Sequence, residues 1–351
     1  MAAALPRTTR AAILTELKQP LVLDEIELPE SLAAGQVLVK LAYTGICGAQ
    51  LNEIDGAKGP DAFLPHLLGH EGSGVVLAVG EGVTAVKPDD AVVLHWRKGR
   101  GIDARPAKYR WKGNVCNAGW VTTFNEYSVV SENRVTTIPA DFNRELAPLF
   151  GCAVTTGLGV ISRNAKLTVG ESIVIIGAGG VGLNLVQAAA LVTAHPIVAV
   201  DLYDEKLALA KSLGATHLIN ARKGDLRAQI VAALPGGQAD CIIDCTGLPE
   251  NIQLAYELLQ PKGRAILVGV PKKGNNVSIY TLPLHFGKVL TGSEGGDTYP
   301  TADIPRYIRL HLEGKLRLSE FITDRYPFEE INTAIARIRA GQVQGRAVLG
   351  F

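Results

Sequence analysis

An α/β protein built from two unlike domains is what this sequence predicts: an irregular, mostly antiparallel β domain followed by a doubly wound parallel sheet. Three observations predict it. Up to about residue 150, short β-like runs are broken by Gly and Pro. From there apolar strands alternate with helical segments, the pattern of a parallel sheet covered on both faces. At the start of the second region a glycine-rich turn separates a strand from a helix.

In the first region the runs are "QVLVKLAYTG", "GSGVVLAVG", "DDAVVLHW", "FNEYSVVS" and "RVTTIP". The second region reads "SIVIIG", "VGLNLVQAAALV", "PIVAVD", "DEKLALAKSLG", "THLIN", "CIIDCTG", "NIQLAYELLQ" and "RAILVGV". The last fifty residues, with "DIPRYIRLHLEG", "EINTAIARIRAG" and "GRAVLGF", predict helices plus a strand that return to the first domain. The expected boundaries are 1–155 for the β domain, 156–297 for the parallel sheet and 298–351 for the returning segment. No repeat of 20 to 50 residues and no low-complexity tract is seen.

Composition narrows the class. The 351 residues are 47% hydrophobic, enough for a large core, and 35 basic against 34 acidic residues leave a net charge of +1. Nucleic-acid binding by the whole surface is therefore not expected. No apolar run reaches the ~18 residues of a membrane span, and the first twenty residues lack the apolar core of a signal peptide. A cytoplasmic protein is expected. Five scattered cysteines, Cys47, Cys116, Cys152, Cys241 and Cys245, read as reduced thiols available to a metal.

The turn "GAGGVG" places Gly177, Gly179 and Gly182 as G-x-G-x-x-G, with Gly180 and Val181 between them. Gly177 permits the tight turn, Gly179 admits a pyrophosphate to the backbone, and Gly182 allows close packing of helix on sheet. The helix N-terminus meets phosphate with unpaired N–H groups. Nineteen residues beyond Gly182, Asp201 ends the strand "PIVAVD". A carboxylate there accepts bonds from both ribose hydroxyls and repels a 2′-phosphate, so NAD is the expected cofactor. Lys206 is a candidate for a further ribose contact.

Three features of the β domain line up with that turn: "GICGAQ" with Cys47, "GHEGSGVV" with His70 and Glu71, and "LFGCAVTTGLG" with Cys152. Together they resemble the zinc-dependent alcohol dehydrogenases of the medium-chain dehydrogenase/reductase family, over nearly the whole chain. The resemblance implies a Rossmann domain and a GroES-like catalytic domain. It implies that Cys47, His70 and Cys152 hold one catalytic zinc and that Glu71 can take up a coordination position. It further implies that Thr156 packs near the nicotinamide and that Arg346 reaches the cofactor pyrophosphate. The expected reaction is hydride transfer between NAD and a secondary alcohol or its ketone, in a homodimer or homotetramer.

Two departures from the family's pattern stand out. Many relatives carry Ser or Thr two residues after the first zinc cysteine to pass the alcohol proton outward, and here that residue is Ala49. Gln50 and Asn52 stand where an acidic residue and a histidine are common, which leaves water, His66, His95 or a substrate hydroxyl to carry the proton. The second departure is the lobe that in many relatives binds a structural zinc through four cysteines. Only Cys116 remains, too few for such a site. Between Arg97 and Lys112 the lobe instead holds seven Lys or Arg against one Asp, interleaved with aromatic residues. Trp96, Arg97 and Arg100 are the candidate substrate residues, which points to an anionic substrate such as a sugar derivative. A solvated or subunit-contacting loop is the competing reading. Two other functions are weighed: a zinc-free reductase of an activated double bond, and a nucleic-acid-binding or structural protein that retains a dinucleotide fold.

Overall fold

A computed structural model describes residues 6–351. The chain divides into two units. One comprises the chain up to Cys152 together with Tyr299–Leu312 and Leu318–Phe351; the other comprises Ala153–Thr298 and Glu313–Arg317.

The first unit holds two sheets, almost entirely antiparallel. The larger has seven strands, six of them in the order Val135–Thr137, Ala91–His95, Glu71–Val79, Gln36–Gly45, Arg346–Gly350 and Ile322–Pro327. The seventh, Tyr127–Ser131, also pairs with Gln36–Gly45. Val37, Val39, Leu41, Val76, Val92 and Leu94 from its central strands are buried together. The C-terminal strand closes this sheet against Tyr43–Gly45. The smaller sheet has five strands and includes a feature the sequence did not signal: the hairpin Tyr109–Trp111 with Asn114–Cys116. Its two-residue turn, Lys112 and Gly113, has positive φ at both positions, the conformation that matches strand twist. Tyr109 anchors the hairpin: it is fully buried, and its hydroxyl oxygen accepts the Val129 N–H at 2.8 Å.

The sheet of the second unit has six strands in the order His217–Asn220, Ile197–Asp201, Ile173–Ile176, Ala239–Asp244, Leu259–Leu267 and Val289–Gly292, all parallel. Numbered along the chain the order is 3-2-1-4-5-6, that of a dinucleotide-binding sheet. Ile173–Ile176 is central and buried at every residue, as a strand covered on both faces must be. Both boundaries of this unit differ from the expected ones. Residues 153–155 open the wholly buried helix Ala153–Gly159, which packs on Gly180–Leu191 and so cannot be cut at 155. Residues 313–317 also belong here, because the Arg317 N–H donates to Gln187 Oε1 at 2.6 Å. Among the described residues no helix is long and apolar enough to cross a membrane.

Candidate active site

Three separate segments of the first unit bring Cys47, His70 and Cys152 together. Cys47 follows the strand Gln36–Gly45 and caps the helix Gly48–Ile54. His70 immediately precedes the strand Glu71–Val79. Cys152 follows the 3₁₀ turn Ala147–Gly151, and Gly151 lets that turn lie against the sheet: a Cβ on it would meet Leu94 O at 2.5 Å and Glu71 Cα at 2.8 Å. The ligand atoms of the three residues lie within 4.8 Å of one another, and the two sulfurs are 3.9 Å apart. Two sulfurs each bound at ~2.3 Å to one tetrahedral zinc would be separated by about 3.8 Å. His70 Nε2 is buried without a hydrogen-bond partner, a costly state for an imidazole nitrogen unless an ion meets it. Hydrogen bonding with Cys152, against the opposing effect of burial, pulls the Cys47 thiol well below its ordinary value. The residues present therefore fit a zinc ion. The other thiols differ: burial pushes Cys116 up to about 11 and Cys241 up to about 12.

Around the donors, Gln50 links two of them. Its Oε1 accepts the Cys47 N–H at 3.2 Å and its amide nitrogen meets His70 Nδ1. Glu71 lies outside the donor set. It is fully buried, and its Oε1 accepts from Arg346 Nη2, while its Oε2 has no partner. Arg346, expected at the pyrophosphate, is thus committed to Glu71 in this structure.

In the second unit, the glycine turn joins the strand Ile173–Ile176 to the helix Gly180–Leu191. Gly177 has φ 101°, and a Cβ on Gly182 would lie 1.9 Å from Gly177 O. A Cβ on Gly179 would meet nothing within 4 Å, so the backbone there borders open space that a phosphate can enter. Asp201 Oδ2 accepts the Ala178 N–H at 2.7 Å, which ties the carboxylate to this turn. Gly180 and Val181 form the first turn of the helix. Thr156 is buried in Ala153–Gly159 of the same unit.

Known proteins match this arrangement. Residues 33–140 match the family model described as alcohol dehydrogenase GroES-like domain, and residues 180–313 match zinc-binding dehydrogenase. An alcohol dehydrogenase class-3 from Cereibacter sphaeroides is 33% identical, covering 95% of this chain and 97% of its own. The chain belongs to the zinc-dependent alcohol dehydrogenases. An S-(hydroxymethyl)glutathione dehydrogenase from Paracoccus denitrificans is 31% identical over the same shares of the two chains. Among solved structures, the benzyl alcohol dehydrogenase of Acinetobacter calcoaceticus has a TM-score of 0.88 at 28% identity, covering 99% of this chain and 100% of its own. Like its family, this dehydrogenase uses a catalytic zinc and NAD to oxidise alcohols or reduce the corresponding carbonyls. Family membership sets aside the zinc-free reductase and the nucleic-acid-binding protein.

Within the dehydrogenase's basic lobe the charge is less free than its sequence implies. Lys98 pairs with Asp103 at 2.6 Å and Lys112 with Asp24 at 3.6 Å, while Arg110 lies opposite Glu27 in the sheet. Trp96 and Arg97 directly follow the strand Ala91–His95. Trp96 follows His95, which pairs with Glu71 in the sheet, and its ring lies 6.5 Å from that of His70. The Arg97 guanidinium is 5.7 Å from the Trp96 ring. Arg100 is exposed; its N–H donates to Thr301 Oγ1 at 2.7 Å, and among the described residues no contact joins its side chain to the donors.

Sequence reasoning missed two residues in "SENRV". Glu132 is fully buried and accepts the backbone N–H groups of Thr84, Ala85 and Ile102, each within 2.7 Å, so it moors the lobe. Arg134 is buried, donates to the Trp96 carbonyl and lies 5.7 Å from the Trp120 ring. A polar triplet with two charges, set between two apolar strand runs, was the available signal. His95 and His66 do not suit a proton exit. Both His95 nitrogens are engaged, by Arg97 O at 2.8 Å and Thr136 Oγ1 at 2.9 Å, and burial lowers its pKa to about 4. Both His66 nitrogens are likewise engaged, by Leu67 O and Asp61.

Proposed function

We propose that this dehydrogenase acts on a secondary alcohol carrying an anionic group, a polyol or sugar derivative being the best fit. The observation that carries the reading is the sequence of groups leading away from the donors: the His70 ring, the Trp96 ring 6.5 Å from it, and the Arg97 guanidinium 5.7 Å from that ring. A flat apolar wall and then a cation suit a short carbon framework ending in carboxylate or phosphate. One relative is named for an alcohol of glutathione, an anionic peptide, which supports the cation; another is named for benzyl alcohol, a neutral compound, which supports the aromatic wall alone.

Cys47, His70 and Cys152 are the residues we assign to zinc, with Glu71 and Arg346 as a buried pair behind them. Bound there, zinc supplies Lewis-acid polarisation of the substrate oxygen, and the nicotinamide of NAD exchanges the hydride. Asp201 holds the ribose hydroxyls, Gly177 to Gly182 receive the pyrophosphate, and Thr156 packs beside the nicotinamide. Ala49 is exposed and has no hydroxyl to relay a proton. A second hydroxyl on the substrate, or water reaching the site past Ala49, fills that role, which favours a polyol.

The same reading includes a homodimer or homotetramer. Val289–Gly292 is the edge strand of the parallel sheet, largely exposed, and Tyr280 and Phe286 before it are 71% and 70% exposed. An open edge beside apolar side chains supports pairing with a second copy.

The test is KM for matched neutral and anionic alcohols, measured by NADH absorbance in the unmodified protein and in Arg97→Ala. The expected result is a rise of about tenfold or more for the anionic member only, shrinking at high salt. Equal effects on both alcohols, or none, would overturn the anionic reading.

A further inference from the structure

The strand Ala91–His95 loses its sheet partners just before Trp96. Its last rung is Leu94 opposite Val135 on one side and His95 opposite Glu71 on the other. Two side chains take over from the ladder. Arg134 Nη1 donates to the Trp96 carbonyl, and His95 Nδ1 donates to the Arg97 carbonyl at 2.8 Å. Burial first, and the Arg134 charge beside it, lower the pKa of His95 to about 4, so its ring is neutral and its other nitrogen faces the Thr136 hydroxyl. With two successive carbonyls held, the planar peptide groups on either side of Arg97 are fixed. The directions in which the Trp96 and Arg97 side chains leave the backbone are fixed with them.

Arginine is a costly residue for this task. Arg134 is only 6% exposed, and its guanidinium gives up most of its hydration where a neutral amide could serve a carbonyl with less loss. What the guanidinium adds is a flat, rigid group that bonds the Trp96 carbonyl while facing the Trp120 ring 5.7 Å away. Trp120 is itself tied to the segment before Arg134, its carbonyl accepting the Ser131 N–H at 2.9 Å. The residues beside Arg134 hold the loop further on. Asn133 O accepts the Gly99 N–H at 2.8 Å, Asn133 Nδ2 donates to Asp103 at 3.1 Å, and Ser131 Oγ accepts the Ala104 N–H at 2.9 Å. Arg134 bonds Trp96 itself, whose ring lies 6.5 Å from that of His70.

We infer that Arg134 is a positioning residue for the substrate: through the Trp96 carbonyl it sets the aromatic wall, and one residue further the Arg97 cation, at their distances from the metal donors. It acts through Trp96 and not by contact with the substrate. This rests on reading Trp96 and Arg97 as the residues that face the substrate. Loss of the bond loosens the wall and leaves in place the donors, which Gln50 supports, and the glycine turn of the other unit.

The experiment compares Arg134→Met and Arg134→Lys in the full-length protein. Met keeps the length and packs on Trp120 without a donor; Lys keeps a donor. In Arg134→Met, KM should rise about fivefold or more for a neutral and an anionic alcohol alike, with kcat within about twofold and zinc content unchanged. Arg134→Lys should fall between Arg134→Met and the unmodified protein. A readout independent of turnover is the fluorescence of Trp96, the sole tryptophan left when Trp111 and Trp120 are both replaced by Phe. Acrylamide should quench it more readily once Arg134→Met is added. Unchanged KM and quenching, or failure of both variants to fold, would make Arg134 a part of the fold alone and overturn the assignment. A Lys variant no better than the Met variant would overturn it equally. The parent reading fails separately: if Arg97→Ala leaves the anionic KM unchanged while Arg134→Met raises both, Arg97 is no substrate cation and the positioning of Trp96 stands. Unchanged KM in Trp96→Ala would overturn the aromatic wall and the assignment together.

Discussion

The glycine turn and the metal donors are two solutions to the same task of holding a small group. The turn is one contiguous segment, Gly177 to Gly182, and it presents backbone N–H groups and open space above Gly179. The donors are side chains from three segments, with Cys47 and Cys152 105 residues apart in sequence. The first site is shaped by local φ and ψ, so it forms wherever its strand and helix form. The second exists only when several strands are in register, and its geometry depends on side chains such as Gln50, which bonds Cys47 and His70 without being a donor itself. A site made of backbone should fail through steric change; a site made of side chains should fail through loss of donors or of their supports.

The largest effect should come from the donors themselves. Cys47→Ala, His70→Ala or Cys152→Ala is expected to remove zinc, measured by metal analysis, and to lower kcat/KM by more than about a hundredfold, since even supporting residues of metal sites cost 10 to 100-fold. NAD binding should persist in all three, because the turn is built separately. Loss of NAD binding along with the metal would break the comparison.

Next, Gly182→Ala and Gly179→Ala separate the two duties of the turn. The first drives a Cβ into Gly177 O and should lower unfolding free energy by roughly 3 kcal/mol in a denaturant titration. The second should leave stability unchanged and weaken NAD by about tenfold, the Cβ filling space meant for phosphate. Equal stability of the two variants would show that helix-on-sheet packing does not depend on Gly182.

A finer probe is Gln50→Ala. It leaves all three donors in place but removes the side chain that joins the Cys47 N–H to His70 Nδ1, so chelator competition should report zinc bound 10 to 100-fold more weakly. Unchanged affinity would mean that backbone alone orients these donors, which would make the two sites more alike than argued above.

Much of this was legible in the sequence. The alternation of strand and helix from residue 173 on, and the glycine spacing, specify a parallel sheet with a phosphate-binding turn because each is a short-range constraint on backbone geometry. Cys47, His70 and Cys152 were found only by resemblance, because nothing in their local surroundings requires them to meet. The basic lobe was read least well. Its cations look uncompensated along the chain, yet Lys112 finds Asp24 and Arg110 lies opposite Glu27, through the pairing of Val22–Glu27 with Tyr109–Trp111.

By itself, then, the sequence determined the two kinds of sheet and the glycine turn between strand and helix, since periodicity and glycine placement act over a few residues at a time. Only the tertiary structure decided that Arg346 would hold Glu71, that Glu132 would moor the lobe, and that Arg222 and Lys206 would share the Tyr203 ring. Those outcomes depend on which strands lie side by side and in what register. Register is set by burial of apolar faces distributed over the whole chain, so no local stretch contains it.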